Sequence, residues 1–583
     1  MNDFIPLSFL FFLVLFSWFF LFDLTNWESL VLLFEGEFLL STILSLTVLF
    51  ILFYFIFDKT PVKLFKSINL PFFNFLVFLT FLLFSFRHDS LFIPGSEYHW
   101  EYFHGVIQGI RNGGWLLWDT PSQYGFLNVL LASVIPVSSA WQALYIMQSF
   151  LLLFVSCTSY WLIVRNFKYD FLKNVVIFFL VFFSLFYADP HLIGPYPFPS
   201  SSVFRFFCVY LMIFLAFIVP KFDKRQAFIL SSAWVLSCLW SAESALYGTS
   251  IFFFLIASIF FSNSSFRHSL KLAGRYLMIS LVLFCTTLAL IVAFYLIKIN
   301  TIPDFGSFFE HAIGYAGGHG YVPFPLFGPS NLLLFIFLGL IIALYNQWRL
   351  KIQNLAPIAS LAGALWAISS YYLGRPVPQN ITAMMPMITI ILLLSITYIK
   401  SINLSSLIIK IISVPFFFLI LSPIFSMAWY QSLTHLKFFS TEISEKLPKA
   451  KSELVDMMDA SGFDLNTFAI YYGDDAAPPI FKDKFSHLND KNWLPVPLQL
   501  LESPISEVKR DIYLARYICG HQNKGGFIIV NKNDLLLKRF DKFLEVLKKY
   551  YVAELANSSH EYDIYRFSNF KPKTCQFTSK NSL

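Results

Sequence analysis

Charge is scarce in this chain. Asp, Glu, Lys and Arg make up 13% of its 583 residues while 57% are hydrophobic, whereas a soluble domain carries about 25% charge. So much apolar mass does not fit into one soluble core, and fibrous, disordered and disulfide-scaffold classes are excluded with it. Cysteine is scarce too, with six in all, and their spacing is that of no metal site. Cys157, Cys208, Cys238 and Cys285 fall in apolar stretches as inert packing. Cys519 and Cys575 lie in a polar tail, where a disulfide is open to them if that tail is extracytoplasmic. No GxxxxGK[ST] loop occurs, so no direct use of cytosolic nucleotide is expected. The apolar run Phe4–Phe22 is too long for a signal-peptide core and no small-residue cleavage site follows it, so it reads as a first transmembrane helix.

What is present is a polytopic membrane body. Thirteen apolar segments can be drawn, roughly at 4–23, 38–57, 70–86, 139–164, 171–188, 203–219, 226–241, 245–262, 276–298, 330–347, 355–372, 381–399 and 404–428. Each is near the length a bilayer core demands. The pair flanking Ser241–Ser244 could also be drawn as one long helix. With the N-terminus cytoplasmic, the inner loops hold Lys59, Lys63, Lys66, Arg165, Lys168, Lys173, Lys221, Lys224, Arg225, Arg267, Lys271, Arg275, Arg349, Lys351 and Lys400. The outer loops hold only Arg87, Arg111, Lys298 and Arg375. This is the positive-inside bias, and it favours splitting the Ser241 pair, since merging it would invert every later loop. The net charge of +7 is therefore a topology signal, and no nucleic-acid partner is implied. An odd number of spans places residues 430–583 outside. That tail holds 21 of the 42 Lys/Arg and 19 of the 35 Asp/Glu. Phe468–Tyr472, Phe527–Val530 and Tyr562–Phe567 read as strands and Leu535–Tyr551 as a basic amphipathic helix, so a small α/β domain is expected. The fold class is thus a polytopic α-helical membrane protein with 1–429 as the transmembrane domain and 430–583 as an extracytoplasmic α/β domain, in an inner or plasma membrane.

The chemistry is expected on the outer face, in the long loops 87–138, 189–202 and 299–329 and in the turns 241–244 and 373–380. Asp89 sits where a helix meets the interface, where a carboxylate is costly unless used; there it can take a proton from an acceptor hydroxyl. Beyond it, helical spacing puts Glu97, Glu101, His104, Gln108 and Arg111 on one face and Trp100, Phe103, Val106, Ile107 and Ile110 on the other. That pattern suits a helix along the membrane surface, with Glu97 and Glu101 either a solvated face or substrate ligands. His99 falls on the apolar face, as a packed or a functional histidine. Asp89, Glu97, His99, Glu101 and His104 contain the donor types for a divalent cation, but the spacing is not diagnostic; no metal and no cofactor are assigned. Gln123 and Tyr124 follow just before the chain re-enters the membrane. Glu243 stands at another outer helix end. His319 is the one titratable group of a glycine-rich loop, Gly314–Gly320, that reads as a lid or a linker. Arg205, one turn inside a span, either snorkels to the interface or binds phosphate. Arg375, beside Tyr372, is the lone base of its turn. A guanidinium fork matches phosphate oxygens, so Arg205 and Arg375 form a candidate clamp, or are two separate anchors.

With these residues in place, the chain resembles the type-C (GT-C) integral-membrane glycosyltransferases, which use a polyprenyl-phosphate sugar donor. The resemblance rests on the layout and on short stretches: His99–Trp100 through Gly114, Asp119, Ser122–Gly125, Trp240–Glu243 and Tyr372–Arg375. It implies that Asp89 is the general base of an inverting transfer to a glycan, lipid-linked or protein acceptor. His88–Asp89 stands where an acidic pair is common in the family, and the Trp-Trp-Asp-Tyr-Gly run of oligosaccharyltransferases is absent. That disfavours transfer of a preassembled oligosaccharide to protein. A lipid or glycan flippase, and a non-catalytic envelope-assembly protein, are the rival classes. The flippase would need midplane charges and internal repeats, and no clear repeat is seen.

Overall fold

The computed structural model describes residues 70–86, 96–111, 113–137, 140–165, 171–186, 199–262, 265–316, 329–349, 355–374, 376, 378–401, 456–457, 460–462, 468–472, 507–520, 526–532 and 537–571. Among the described residues the membrane body comprises, in chain order, α1 (Leu70–Ser85), α2 (Ser96–Arg111), α3 (Leu127–Ser133), α4 (Ala140–Val164), α5 (Phe171–Phe186), α6 (Val203–Ile218), α7 (Lys224–Trp240), α8 (Ala242–Ser262), α9 (Phe266–Ile299), α10 (Gly306–Ala316), α11 (Pro329–Arg349), α12 (Ala356–Gly374) and α13 (Pro378–Ser401). Ten of the thirteen apolar segments coincide with α1, α4 to α9 and α11 to α13. The segments 4–23, 38–57 and 404–428 lie outside the described residues.

Among the described residues, four stretches are long and apolar enough to cross a membrane: Gln142–Val164, Pro199–Ile218, Ala242–Ser262 and Phe266–Ile299. Helix α9 makes the setting plain. It runs for 34 residues, about 50 Å at 1.5 Å per residue. Leu277, Met278, Leu281, Val282, Leu290 and Ile297 all stand exposed along it. Such a surface is stable against lipid and not against water. Its first turns carry Arg267, Lys271 and Arg275, the inner-loop bases of the sequence. Several hydroxyls inside the helices are satisfied on their own backbone: Ser156 donates to the Leu152 carbonyl at 2.6 Å, Ser237 to Ala233 at 2.9 Å and Ser395 to Ile391 at 2.6 Å. Where no water is available, that back-bonding is the local way to hide a polar group.

The chain does break at Ser241, whose backbone is extended (φ −161°, ψ 162°). Helices α7 and α8 fold back on one another, with Trp234 Nε1 donating to Thr249 Oγ1 at 3.0 Å. At the centre lies α12. Every residue from Ala356 to Leu365 is buried, and Gly363 meets the α8 backbone so closely that an added Cβ would fall 2.8 Å from Ile251 Cα. That contact is possible only for glycine.

Helix α2 departs from its expected setting. Tyr102, Phe103, His104, Val106, Ile107 and Gln108 are all buried, so the part of the polar face formed by His104 and Gln108 is packed as well as the apolar one. The helix packs against α3 and α4. Arg111 at its end is equally committed, donating from Nε to the Ser133 carbonyl at 3.2 Å and from Nη2 to the Ile135 carbonyl at 2.9 Å. This accounts for an arginine that runs against the charge bias: it satisfies the carbonyls that end α3.

The C-terminal region contains β1 (Phe468–Tyr472), α14 (Glu507–Gly520), β2 (Gly526–Asn531), α15 (Leu537–Tyr550), β3 (Val552–Ser558) and β4 (Tyr562–Ser568). The sheet order is β1-β2-β4-β3, with β1 parallel to β2 and the other pairs antiparallel. The apolar stripe Phe540, Phe543, Leu544, Leu547 of α15 packs on Ile528, Val530 and Phe567, as its helical spacing requires. Strand β3 and helix α14 had no clear sequence signal: β3 is a half-exposed edge, and α14 mixes charged and apolar residues.

Replacing Gly363 by Ala should push α12 away from α8 and cost about 1–3 kcal/mol of stability, the range for overpacking a tight core. Gly274→Ala, in the interior of α9 where nothing stands within 4 Å of the new methyl group, should raise stability by about 0.5–1 kcal/mol. Thermal unfolding of the two purified variants in detergent compares them directly.

Candidate functional site

A 3-10 turn, Pro199–Ser201, leads into α6, and the Ser202 hydroxyl caps it by accepting from the Phe204 amide at 3.1 Å. The cap fixes where the first turn begins and so aims Arg205. An arginine side chain on a helix leans back toward the N-terminus, and here Nη1 donates to the Ser200 carbonyl at 2.6 Å. Nη2 is ion-paired and hydrogen-bonded to Glu243. Glu243 occupies the first turn of α8, where a carboxylate is favoured by the unpaired amides of the helix start. The break at Ser241 is what delivers it there.

Aromatic rings close around the guanidinium. Its Cζ lies 4.2 Å from the Tyr371 ring centroid and 5.6 Å from that of Tyr124, within the range of cation–π attraction. The Tyr371 hydroxyl shares a hydrogen bond with Ser201 at 3.1 Å. Tyr124 is held by stacking on Phe103, centroids 5.0 Å apart. Tyr247, one turn beyond Glu243, stacks on Phe206 at 6.0 Å and also lies against the guanidinium. The Arg205 side chain is only 10% exposed while that of Glu243 is 38% exposed. The pair is thus covered on the arginine side and open on the carboxylate side. Arg205 Nε is buried without a hydrogen-bond partner, so the guanidinium keeps unused donor capacity.

The structure brings Arg205, Glu243 and Tyr124 together, with Gln123 half-buried beside Tyr124. It also corrects the reading of Arg205 as a residue that snorkels to the interface, because its charged end is covered by tyrosines and a carboxylate. Tyr371, and not Tyr372, faces the arginine: Tyr372 is 2% exposed in the apolar core. Trp240 is buried, its Nε1 donating to the Phe204 carbonyl at 3.0 Å. Asp89, His319 and Arg375 lie outside the described residues, as do the side chains of Glu97, His99 and Glu101, whose backbone belongs to α2. The sequence reading missed Tyr371, Tyr247 and the Ser200–Ser201 pair. The i, i+4 spacing of Glu243 and Tyr247 was the one available signal.

A second constellation lies on the same face. The turn Trp115–Thr120 winds around the Asp119 carboxylate, which accepts from the Trp115 amide at 2.5 Å and the Thr120 hydroxyl at 2.9 Å. Leu117 takes a left-handed φ of 58°, a conformation costly for a branched side chain and held only by what surrounds it. Three neighbours do so. The Tyr295 hydroxyl donates to the Leu116 carbonyl. The Asp304 amide donates to the Leu117 carbonyl at 2.8 Å. Arg516 of α14 donates to the Trp118 carbonyl at 2.9 Å with its guanidinium 3.8 Å from the Trp118 ring centroid. Lys509, two turns earlier on α14, reaches Asp304 at 3.5 Å and Glu310 at 3.4 Å. The C-terminal region is therefore docked on the turn and on α10, at the membrane-body face that carries Arg205 and Glu243. The link is short: Phe126, two residues after Tyr124, donates its amide to the Trp240 carbonyl at 3.1 Å, just before Ser241.

Helix α10 carries two ionisable groups with opposite responses to acid. Burial raises the Glu310 carboxyl above its usual range, against the pull of Lys509. Burial lowers His311 to about 3, and neither of its ring nitrogens has a partner.

The chain matches no protein-family model and no curated protein. Among solved structures it is similar to ArnT from Cupriavidus metallidurans bound to undecaprenyl phosphate, with 10% identity and a TM-score of 0.36 over 85% of this chain and 98% of that one. The same protein in the apo state gives 11% identity and a TM-score of 0.37 over 85% and 97%. These are distant similarities.

Arg516→Ala should loosen the turn at Trp118 by about 1–2 kcal/mol, the combined scale of one charge-assisted hydrogen bond and one cation–π contact. Faster hydrogen exchange across 113–125, with exchange in α12 unchanged, is the expected signature. His311 gives a pH test. A histidine held neutral when docked takes a proton once released, so docking of α10 should weaken as pH falls below about 6.5, by about 1.4 kcal/mol per unit. The Glu310 response runs the other way and offsets part of it. His311→Leu should abolish the histidine component, leaving α10 better protected from exchange at pH 5 than in the wild type.

Proposed function

We propose that this protein is a membrane glycosyltransferase that moves a sugar from a polyprenyl-phosphate donor to a glycan, lipid-linked or protein acceptor on the outer face of the membrane. The observation that carries the reading is the Arg205 site. A buried guanidinium with spare donors, a partly exposed carboxylate and two tyrosine rings meet at the membrane-body face where the first long loop and the C-terminal region also meet. Arg205 offers a cation to the lipid phosphate. Tyr124, Tyr371 and Glu243 offer an aromatic surface and an acceptor for sugar hydroxyls.

Asp89 is the proposed general base. The acceptor hydroxyl gives its proton to the Asp89 carboxylate while its oxygen bonds to the anomeric carbon. The bond from that carbon to the phosphate oxygen breaks on the opposite side, and the lipid phosphate leaves with the electron pair. The configuration inverts. A lipid phosphate is an adequate leaving group, so no nucleotide is needed outside. The chain would lie in an inner or plasma membrane with its N-terminus cytoplasmic and residues 430–583 outside.

Ion-coupled transport would need charged side chains near the midplane. In the described membrane helices Lys, Arg, Asp and Glu stand near the ends: Lys173, Arg205, Lys224, Arg225, Glu243, Arg267, Lys271, Arg275, Lys298, Arg349 and Lys400.

Membranes containing the protein, incubated with radiolabelled polyprenyl-phosphate sugars, should transfer label into a lipid-linked or envelope-glycan fraction. Asp89→Asn should lower transfer by at least about a hundredfold, the scale of general-base catalysis, with expression unchanged. Full activity in that variant would remove the proposed base. Arg205→Gln should raise the apparent KM for donor; no change in KM would remove the proposed phosphate contact.

A further inference from the structure

Arg205 does not wait for its ligand as a bare cation. Its Nη2 is already held by Glu243, and its Nη1 by the Ser200 carbonyl. The guanidinium lies over the rings of Tyr371 and Tyr124. An incoming anion that reaches it meets the Glu243 charge beside the arginine. Among the described residues Glu243 is the carboxylate paired with Arg205, and Tyr371 and Tyr124 present uncharged rings to it. The pair is close to neutral overall, and its carboxylate is the more exposed partner.

We infer that Glu243 cancels the preference for a doubly charged phosphomonoester that Arg205 alone would impose, so that the site does not favour the spent carrier over the singly charged phosphodiester donor. The inference rests on the polyprenyl-phosphate reading above and assigns one residue a role within it. A phosphodiester-linked sugar carries one negative charge. Once the sugar has left, the phosphomonoester carries close to two at pH 8, since its second proton is lost near pH 6. The extra charge appears next to the Glu243 carboxylate. The site thus does not tighten on the spent carrier as a bare guanidinium would, which favours release after each transfer. A bare arginine would do the reverse, since a lone cation attracts a dianion more strongly than a monoanion.

The size of the effect follows from geometry and exposure. A unit charge beside the pair feels the guanidinium and the carboxylate with opposite sign, and a carboxylate this open to solvent is partly screened. Removing the carboxylate should shift the balance toward the monoester on the order of tenfold.

Two lipids that differ in one charge test the inference: undecaprenyl phosphate and its methyl diester, titrated at pH 8 against the full chain in neutral-lipid nanodiscs. The wild type should bind the two about equally. A preference of about tenfold or more for the monoester in the wild type would overturn the inference without any variant being made. In Glu243→Gln, which keeps the shape and a hydrogen-bonding oxygen, the monoester should gain about tenfold over the diester. An unchanged ratio of the two affinities in that variant would overturn the role of Glu243. Binding of neither lipid by the wild type would overturn the polyprenyl-phosphate reading itself, a result distinct from binding both.

Discussion

The ion pair between Arg205 and Glu243 is the contact on which the rest of this face depends. A guanidinium one turn inside an apolar helix bundle is costly unless a counter-charge meets it. Here the counter-charge comes from the start of α8, the covering rings from the end of α12 and from the first long loop, and the remaining acceptor from the turn before α6. Three helices and a loop are thereby fixed relative to one another. Removing one partner would leave the other buried and uncompensated, a penalty of about 3–5 kcal/mol for a fully buried pair and less here because Glu243 is partly solvated.

The break at Ser241 serves that contact. An unbroken helix through Trp240 and Ala242 would carry Glu243 away from Arg205 and invert the order of every later helix. Because the backbone is extended there, α8 starts afresh, its first turn faces Arg205, and Gly248 allows α7 and α8 to close on one another at Ser237. The hydrogen bond from Phe126 to the Trp240 carbonyl then fastens the loop to the same corner. Local geometry, helix packing and site assembly meet in a stretch of a few residues.

The docking of the C-terminal region extends this rigid corner. Arg516 lies on Trp118 and Lys509 bridges Asp304 and Glu310, so two loops distant in sequence are held by one soluble helix. The turn they hold contains a left-handed Leu117 and a buried Asp119, features that persist only where the surroundings over-determine them. Asp119 is spent on that turn. A carboxylate in a loop near a membrane surface is thus no sign of catalysis by itself; what its oxygens already hold decides.

Apolar segment length and the asymmetry of Lys and Arg were enough to read the described apolar helices and the split at Ser241, because lipid imposes those constraints segment by segment. Binary patterning was likewise enough for α15, β1, β2 and β4. It misjudged α2, where His104 and Gln108 look like a solvated face yet are buried, since helical periodicity records polarity and not what packs on top. It chose Tyr372 where Tyr371 faces the arginine, because neighbouring residues on a helix point about 100° apart and only the position of α6 decides which one counts. The sequence by itself determined that Arg205 and Glu243 are charges at helix ends on one face. That they neutralise one another, between two tyrosines drawn from segments more than 200 residues apart, only the tertiary structure decided. Electrostatic pairing depends on distance in space, and the chain's own spacing does not encode it.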